Sequence, residues 1–155
     1  MANLLGLIMA AVTFPGIYLH NLSRKLFSER VNVPVEEAQY KDLYIISVTP
    51  FIINTVAAML MFVLGYYLIE HEYIRLFFNW LGISFGMHAF PNNADAKHIW
   101  NRSQNVWREN PLALIGFPFV IIVFAANLLR VVWFDLIYAG LLYWFTDYMA
   151  SMIIS

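Results

Sequence analysis

Long apolar segments alternate with short polar ones along this chain. Each apolar segment is about long enough to cross a bilayer, whose hydrocarbon core takes about 20 helical residues. Segments rich in β-branched residues still predict helix there, because an open strand in lipid leaves backbone groups unpaired. The pattern predicts an all-α integral membrane protein, a polytopic bundle of about five transmembrane helices forming one transmembrane domain over residues 1–155. The predicted spans are approximately 4–22, 43–69, 73–90, 112–128 and 132–154.

The last two spans come from one nearly continuous apolar run, from Pro111 to Ile154. At about 1.5 Å per residue this run is twice as long as a bilayer is thick, so it must form two helices. We place the turn between Asn127 and Val131, around the charged Arg130.

Two polar segments separate the spans. In residues 23–42, valines alternate with polar residues, which predicts a short β-hairpin at the membrane surface after the first helix. The longest polar section, residues 92–110, has the composition of a loop. Within the spans, Gly82 and Gly86 have the spacing that permits close helix approach. Three asparagines are expected to form hydrogen bonds between helices: Asn54, Asn79 and Asn127.

Composition supports a membrane location. The chain is 61% hydrophobic and 12% charged, whereas soluble domains average about 45–50% and about 25%. A soluble domain of 155 residues could not bury so much apolar surface, so we expect the lipid bilayer to cover it. A net charge of -1 gives no indication of nucleic acid binding. Without cysteine, neither a disulfide nor a thiolate metal site can form.

The basic residues predict the orientation. If five spans alternate, the polar loops after spans one and three lie on the same side and carry seven of the nine Lys and Arg residues. By the positive-inside rule this side is cytoplasmic, which predicts a multi-pass protein of the cell membrane with its N-terminus outside and its C-terminus inside. Arg75 and Arg130 then lie on the other side. The same arrangement brings four potential metal ligands to one face: His20, His88, Asp95 and His98.

Five segments carry a resemblance to a known family: FPGIYLHNLSRKLF, TPFIINT, LGISFGMHAFPNNADAK, NPLALIGFP and WFDLIYA. Together, from about Thr13 to Ala139, they resemble a small membrane zinc metalloprotease of the site-2-protease-like kind. Such proteases carry a His-Glu-x-x-His motif near the end of an early spanning helix, and a downstream acidic residue completes the zinc site. The resemblance implies that His20 corresponds to the first ligand and Asp95 to the downstream one.

The motif in this chain is degenerate and reads HNLSR, from His20 to Arg24. In an intact motif, two His at i and i+4 bind zinc and the Glu polarises the bound water. Asn21 replaces the Glu, and a neutral amide cannot accept a proton from that water. Arg24 replaces the second His, and its permanent positive charge prevents it from binding a cation. The resemblance therefore implies an inactive relative, with no catalytic residue and no bound zinc.

The expected function is that of a pseudoprotease, a structural or binding subunit of a membrane complex whose partners are other membrane proteins. In place of the metal, we expect an ion pair between Arg24 and Asp95.

Two alternatives stay open. An active intramembrane zinc metalloprotease could use a shifted ligand set, because imidazole and carboxylate both bind zinc; the ligands would be His20, His88, Asp95 and His98, and the base Glu29, Glu36 or Glu37. A proton- or ion-conducting subunit could use Asp135 and Asp147 in the last span. Against conduction, we expect Asp135 to pair with Arg130 near one surface and Asp147 to face water near the other.

Overall fold

A computed structural model describes residues 4–31, 39–68 and 70–154, and within these ranges it contains six α-helices and no strand. The helices are α1 Leu4–Val31, α2 Tyr40–Val63, α3 Glu72–Met87, α4 Asn93–Val106, α5 Gly116–Leu129 and α6 Phe134–Ile154. A π-helical turn, Leu64–Leu68, extends α2, and 3-10 turns at Pro111–Ile115 and Arg130–Val132 flank α5. The predicted all-α class is confirmed. Most of the predicted β-hairpin lies outside the described residues, and its first part is helical because α1 continues to Val31.

Two helical segments of the described chain are long and apolar enough to cross a membrane: Tyr40–Tyr66, with 27 residues, and Ala113–Val132, with 20. The predicted break between the last two helices is present, although it lies slightly later than expected. There α5 ends at Leu129, and Trp133 adopts a left-handed conformation (φ 62°) before α6 begins.

Paired contacts along the helices give their directions. Gly16 of α1 contacts Ser84 of α3, and His20, one turn later, contacts His88, so α1 and α3 run parallel. By contrast, α2 is antiparallel to α3, because its earlier residue Asn54 contacts His88 while its later residue Phe62 lies against Gly82.

The last helix is also antiparallel to α3. Phe134, at the start of α6, stacks near Phe90, with 5.7 Å between ring centroids. Further along α6, Ala139 lies against Gly86. Since α1 and α3 run one way and α2 and α6 the other, the beginning of α1 and the end of α6 lie at the same end of the bundle. The alternating five-span pattern, by contrast, predicts the two termini on opposite sides of the membrane.

A hairpin of α4 and α5 explains that difference. It packs on the first turns of α2, where the Tyr40 hydroxyl contacts Ser103 of α4 and the carbonyl of Ala113. From there α5 returns to the end of α3, and Asn127 donates a hydrogen bond to the Pro91 carbonyl (2.9 Å). Consequently Arg130 lies at the same end as His88, not at the opposite end as predicted.

The polar section predicted as a loop contains α4. Its N-cap is Asn92, whose side-chain oxygen accepts a hydrogen bond from the backbone N–H of Asp95 at 2.9 Å. An Asn at the N-cap and an acidic residue in the first turn stabilise a helix start, both through this bond and through the helix dipole. The loop prediction gave too much weight to polarity and missed this capping pattern.

The predicted close approach at the glycines of α3 is confirmed. A Cβ atom on Gly82 would collide with the ring of Phe62. On Gly86, it would lie 2.9 Å from the Cβ of Ala139. These two glycines let α3 pack tightly against α2 on one side and α6 on the other.

Candidate functional site

Buried and half-buried polar side chains gather where α1, α2, α3 and α4 meet, at the end of the bundle that contains the HNLSR motif. We call this group the polar cluster; its members are His20, Arg24, Asn54, Ser84, His88 and Asp95. Burying polar groups costs free energy unless they are paired, so their partners decide what the cluster does.

Asn54 lies at the centre of the polar cluster and is fully buried. Its side-chain amide donates to two carbonyl oxygens, that of Gly16 at 3.2 Å and that of His88 at 2.8 Å. One side chain of α2 thereby joins α1 to the end of α3. The expected interhelical hydrogen bonding of Asn54 is thus confirmed, whereas Asn127 bonds the Pro91 carbonyl in the connection between α3 and α4. Asn79 has a buried Oδ1 with no hydrogen-bond partner in the described structure.

Both histidines of the polar cluster are oriented by backbone carbonyls. The Nδ1–H of His20 donates to the carbonyl oxygen of His88 at 3.0 Å, and that of His88 donates to the carbonyl of Ser84 at 3.0 Å. Because a carbonyl can only accept, both rings carry their proton on Nδ1. In addition, the Ser84 hydroxyl accepts a hydrogen bond from the Gly16 amide at 2.9 Å. These bonds fix the relative position of α1 and α3.

Arg24 and Asp95 form the ion pair that links α1 to α4. Arg24 Nη2 lies 2.7 Å from Asp95 Oδ1, and only 3% of the Asp95 side chain is exposed. Arg24 itself is about one third exposed, so its charge is partly hydrated. The pair therefore places a fixed cation against the carboxylate that the family resemblance assigns to zinc. Asn21, in the position of the missing Glu, is exposed.

The predicted zinc ligands are not gathered into one group in the described structure. Within the described ranges, no three His, Asp or Glu side chains come close enough together to hold a metal. The guanidinium of Arg24 occupies one oxygen of Asp95. His98 lies one helical turn after Asp95 on the half-buried part of α4, and the shifted set of four ligands is not assembled. Of the proposed bases, Glu29 is exposed on α1, and Glu36 and Glu37 lie outside the described residues.

The two acidic residues of α6 lie apart. Arg130 Nε donates to Asp135 Oδ2 at 2.6 Å, next to His88 and the start of the helix. Asp147 lies twelve positions further, which is about 18 Å along a helix axis. The Arg130–Asp135 pair expected from the sequence is therefore present, and it lies at the end of the bundle that contains the polar cluster.

Two neighbouring cavities open beside the polar cluster. The first, which we call the polar cavity, has a volume of about 130 Å³ and is lined chiefly by His20, Asn21, His88, Asn92 and Arg130. The second, which we call the apolar groove, has a volume of about 270 Å³ and is lined chiefly by Met9, Thr13, Met87, Trp133 and Leu136. His88 and Arg130 line both cavities, so the two meet at these side chains.

Sequence reasoning missed three residues of this region. Ser84 and Asn92 are not among the predicted site residues, although the Asn-x-x-Asp spacing from Asn92 to Asp95 is typical of a helix N-terminus. Arg130 was assigned to the opposite end, because an alternating five-span pattern takes no account of an α4–α5 hairpin.

Comparison of the chain with family models, with curated proteins and with solved structures finds no match. The resemblance to site-2-type proteases therefore depends on the sequence segments alone.

Proposed function

We propose that this protein is a non-catalytic, multi-pass membrane protein that serves as a structural or binding subunit of a membrane complex. The single observation that carries this proposal is the Arg24–Asp95 ion pair, in which the charged atoms lie 2.7 Å apart and the Asp95 side chain is buried. It stands where a protease of the resembling family would hold its metal. In this protein the polar cluster would hold helices together.

The surrounding geometry supports a structural role. Asn54 and the two histidines direct their hydrogen bonds to backbone carbonyls of neighbouring helices. Bonds of this kind join neighbouring helices, as a structural role requires. The neutral Asn21 supplies no proton acceptor at the position where hydrolysis needs one.

Burial supports the membrane location. Only 33% of an apolar 18-residue window within Tyr40–Tyr66, and 22% of such a window within Ala113–Val132, is buried inside the protein, whereas a core helix of a soluble protein is mostly buried. Large apolar side chains face outward on α5 and α6, among them Ile122 at 61% exposure, Trp144 at 64% and Ile153 at 79%. Soluble monomers rarely expose continuous apolar surface on this scale. Lipid and partner helices would cover it.

The helix directions favour four crossings instead of five. In this arrangement α1, α2, α3 and α6 each cross once, because α6 runs antiparallel along α3, and α5 runs in the same direction as α6 without adding a reversal. Eight of the nine Lys and Arg residues then lie at the end with the polar cluster, and Arg75 lies at the other. The positive-inside rule makes the basic end cytoplasmic and places both termini outside.

The binding role is tested by extracting the full chain from its native membrane in a mild detergent and measuring the mass of the complex. We expect a defined assembly that contains a second membrane protein, together with no peptide-bond cleavage of unfolded or membrane-embedded test substrates. A monomer that cleaves such substrates, and loses this activity with a chelator, would contradict the proposal.

A further inference from the structure

The polar cavity and the apolar groove adjoin at the end of the bundle that contains the polar cluster, where His88 and Arg130 line both. Together they make an amphipathic cleft, and a molecule that fills it needs a polar group joined to an apolar chain. We infer that this cleft binds an anionic phospholipid, with the phosphate in the polar cavity and an acyl chain along the apolar groove. The inference rests on the membrane location in the proposed function.

The polar cavity offers hydrogen-bond donors to an anion. Arg130 uses its Nε for Asp135, which leaves the other N–H groups of the guanidinium for a further acceptor. Asn92 accepts the Asp95 amide with its oxygen, so its NH2 group is available to donate. The exposed amide of Asn21 adds a third donor at the cavity.

Among the described residues, no carboxylate lines the polar cavity itself. Asp135 lines the apolar groove and forms an ion pair with Arg130. It therefore lowers the net positive charge of the cleft, but it does not line the polar cavity proposed for the phosphate. A single negative charge, as on a phosphate diester, suits this balance better than a doubly charged anion. A choline headgroup would bring a second cation next to Arg130, and we therefore expect phosphatidylglycerol to bind better than phosphatidylcholine.

The position of the cleft also suits a lipid. Trp133 is about half exposed at the turn between α5 and α6, directly beside Arg130. Trp together with a basic residue is typical of the membrane–water interface, where lipid phosphates lie. From that level the apolar groove follows α1 toward Met9, which is the direction in which an acyl chain would extend.

The test uses the full chain in detergent and native mass spectrometry, with equal amounts of dioleoyl phosphatidylglycerol and dioleoyl phosphatidylcholine. Asn21→Asp places a negative charge at the polar cavity and, because Asn21 is exposed, leaves the fold intact. Asn101→Asp, on the exposed part of α4 outside both cavities, is the matched control. We expect Asn21→Asp to retain phosphatidylglycerol about tenfold less well, equivalent to about 1.4 kcal/mol, and the control to match the unmodified chain.

Inorganic phosphate, which lacks a chain, should not displace the bound lipid. Equal retention of both lipids by the unmodified chain, equal retention by the two variants, or displacement by phosphate would each overturn the inference. These outcomes are separate from failure of the proposed function, because a chain recovered from cells as a soluble protein without detergent would refute the membrane location itself.

Discussion

The side-chain amide of Asn54 donates a hydrogen bond of 2.8 Å to the backbone carbonyl of His88, the residue that ends α3. The same amide reaches Gly16 on α1, so a single buried asparagine holds three helices in register. The family resemblance predicts the remains of a metal site here, whereas the side chain of Asn54 forms hydrogen bonds between helices.

The first prediction concerns this asparagine. Asn54→Ala removes the donor from two buried carbonyls, and we expect the free energy of unfolding to fall by about 1–3 kcal/mol. Unfolding in mixed detergent micelles, followed by circular dichroism, measures the change. Asn101→Ala, on an exposed helix face, is the matched control and should change stability by no more than about 0.5 kcal/mol. Equal effects of the two substitutions would show that Asn54 does not join the helices.

The second prediction concerns the ion pair of Arg24 and Asp95. Exposed pairs contribute about 0–1 kcal/mol, and breaking a fully buried pair costs about 3–5 kcal/mol. With Asp95 buried and Arg24 one third exposed, Arg24→Leu should cost an intermediate amount of about 1–3 kcal/mol. Replacing both residues by Leu should cost less than the sum of the single changes, because no unpaired charge is left. Strict additivity in this double-mutant cycle would argue that the two side chains do not interact.

Several parts of this picture could be read from the sequence. Apolar segment lengths indicate the helices, and the basic Arg24 after the first apolar segment, together with the acidic Asp95, indicates an ion pair. Polar residues in apolar segments, such as Asn54, indicate interhelical hydrogen bonds because they need partners in lipid.

Other parts could not be predicted, and the reason is physical. Hydropathy shows which segments are apolar but not whether the next helix reverses direction. An alternating pattern of spans therefore predicts Arg130 at the wrong end of the bundle. The direction of α5 depends on tertiary contacts of Tyr40 with Ser103 and Ala113, which no local pattern reports. The hydrogen bond from Gly16 to Ser84 likewise depends on how closely α1 approaches α3. Because serine is common in helices of every kind, the sequence does not indicate this bond.

A third prediction uses two glycines with contrasting surroundings. Gly86→Ala adds a methyl group 2.9 Å from the Cβ of Ala139 and should destabilise the α3–α6 contact by about 1–3 kcal/mol. Gly140→Ala, where nothing lies within 4 Å of the added atom, should be neutral or stabilising by up to about 1 kcal/mol. Thermal unfolding of both variants in the same detergent provides the comparison. A destabilised Gly140→Ala together with an unaffected Gly86→Ala would contradict the packing described.

A fourth prediction tests the helix directions in the membrane. The chain has no cysteine, so single cysteines can report accessibility without background. Ser151→Cys near the end of α6 should react with a membrane-impermeant maleimide on intact cells, because the proposed arrangement of four crossings places the C-terminus outside. Asn101→Cys on α4 should react only after the membrane is permeabilised. The reverse pattern for Ser151→Cys would restore the five-span arrangement with a cytoplasmic C-terminus.

The most direct test of the central claim, that an ion pair stands in place of a metal, is the zinc content of the purified full chain. The protein should be prepared in mild detergent without chelators, equilibrated with a slight excess of zinc, desalted and analysed by inductively coupled plasma mass spectrometry. We predict well under one zinc per chain, because Arg24 occupies Asp95 and the described residues assemble no other ligand set. One tightly held zinc per chain, lost on Asp95→Asn, would contradict the account.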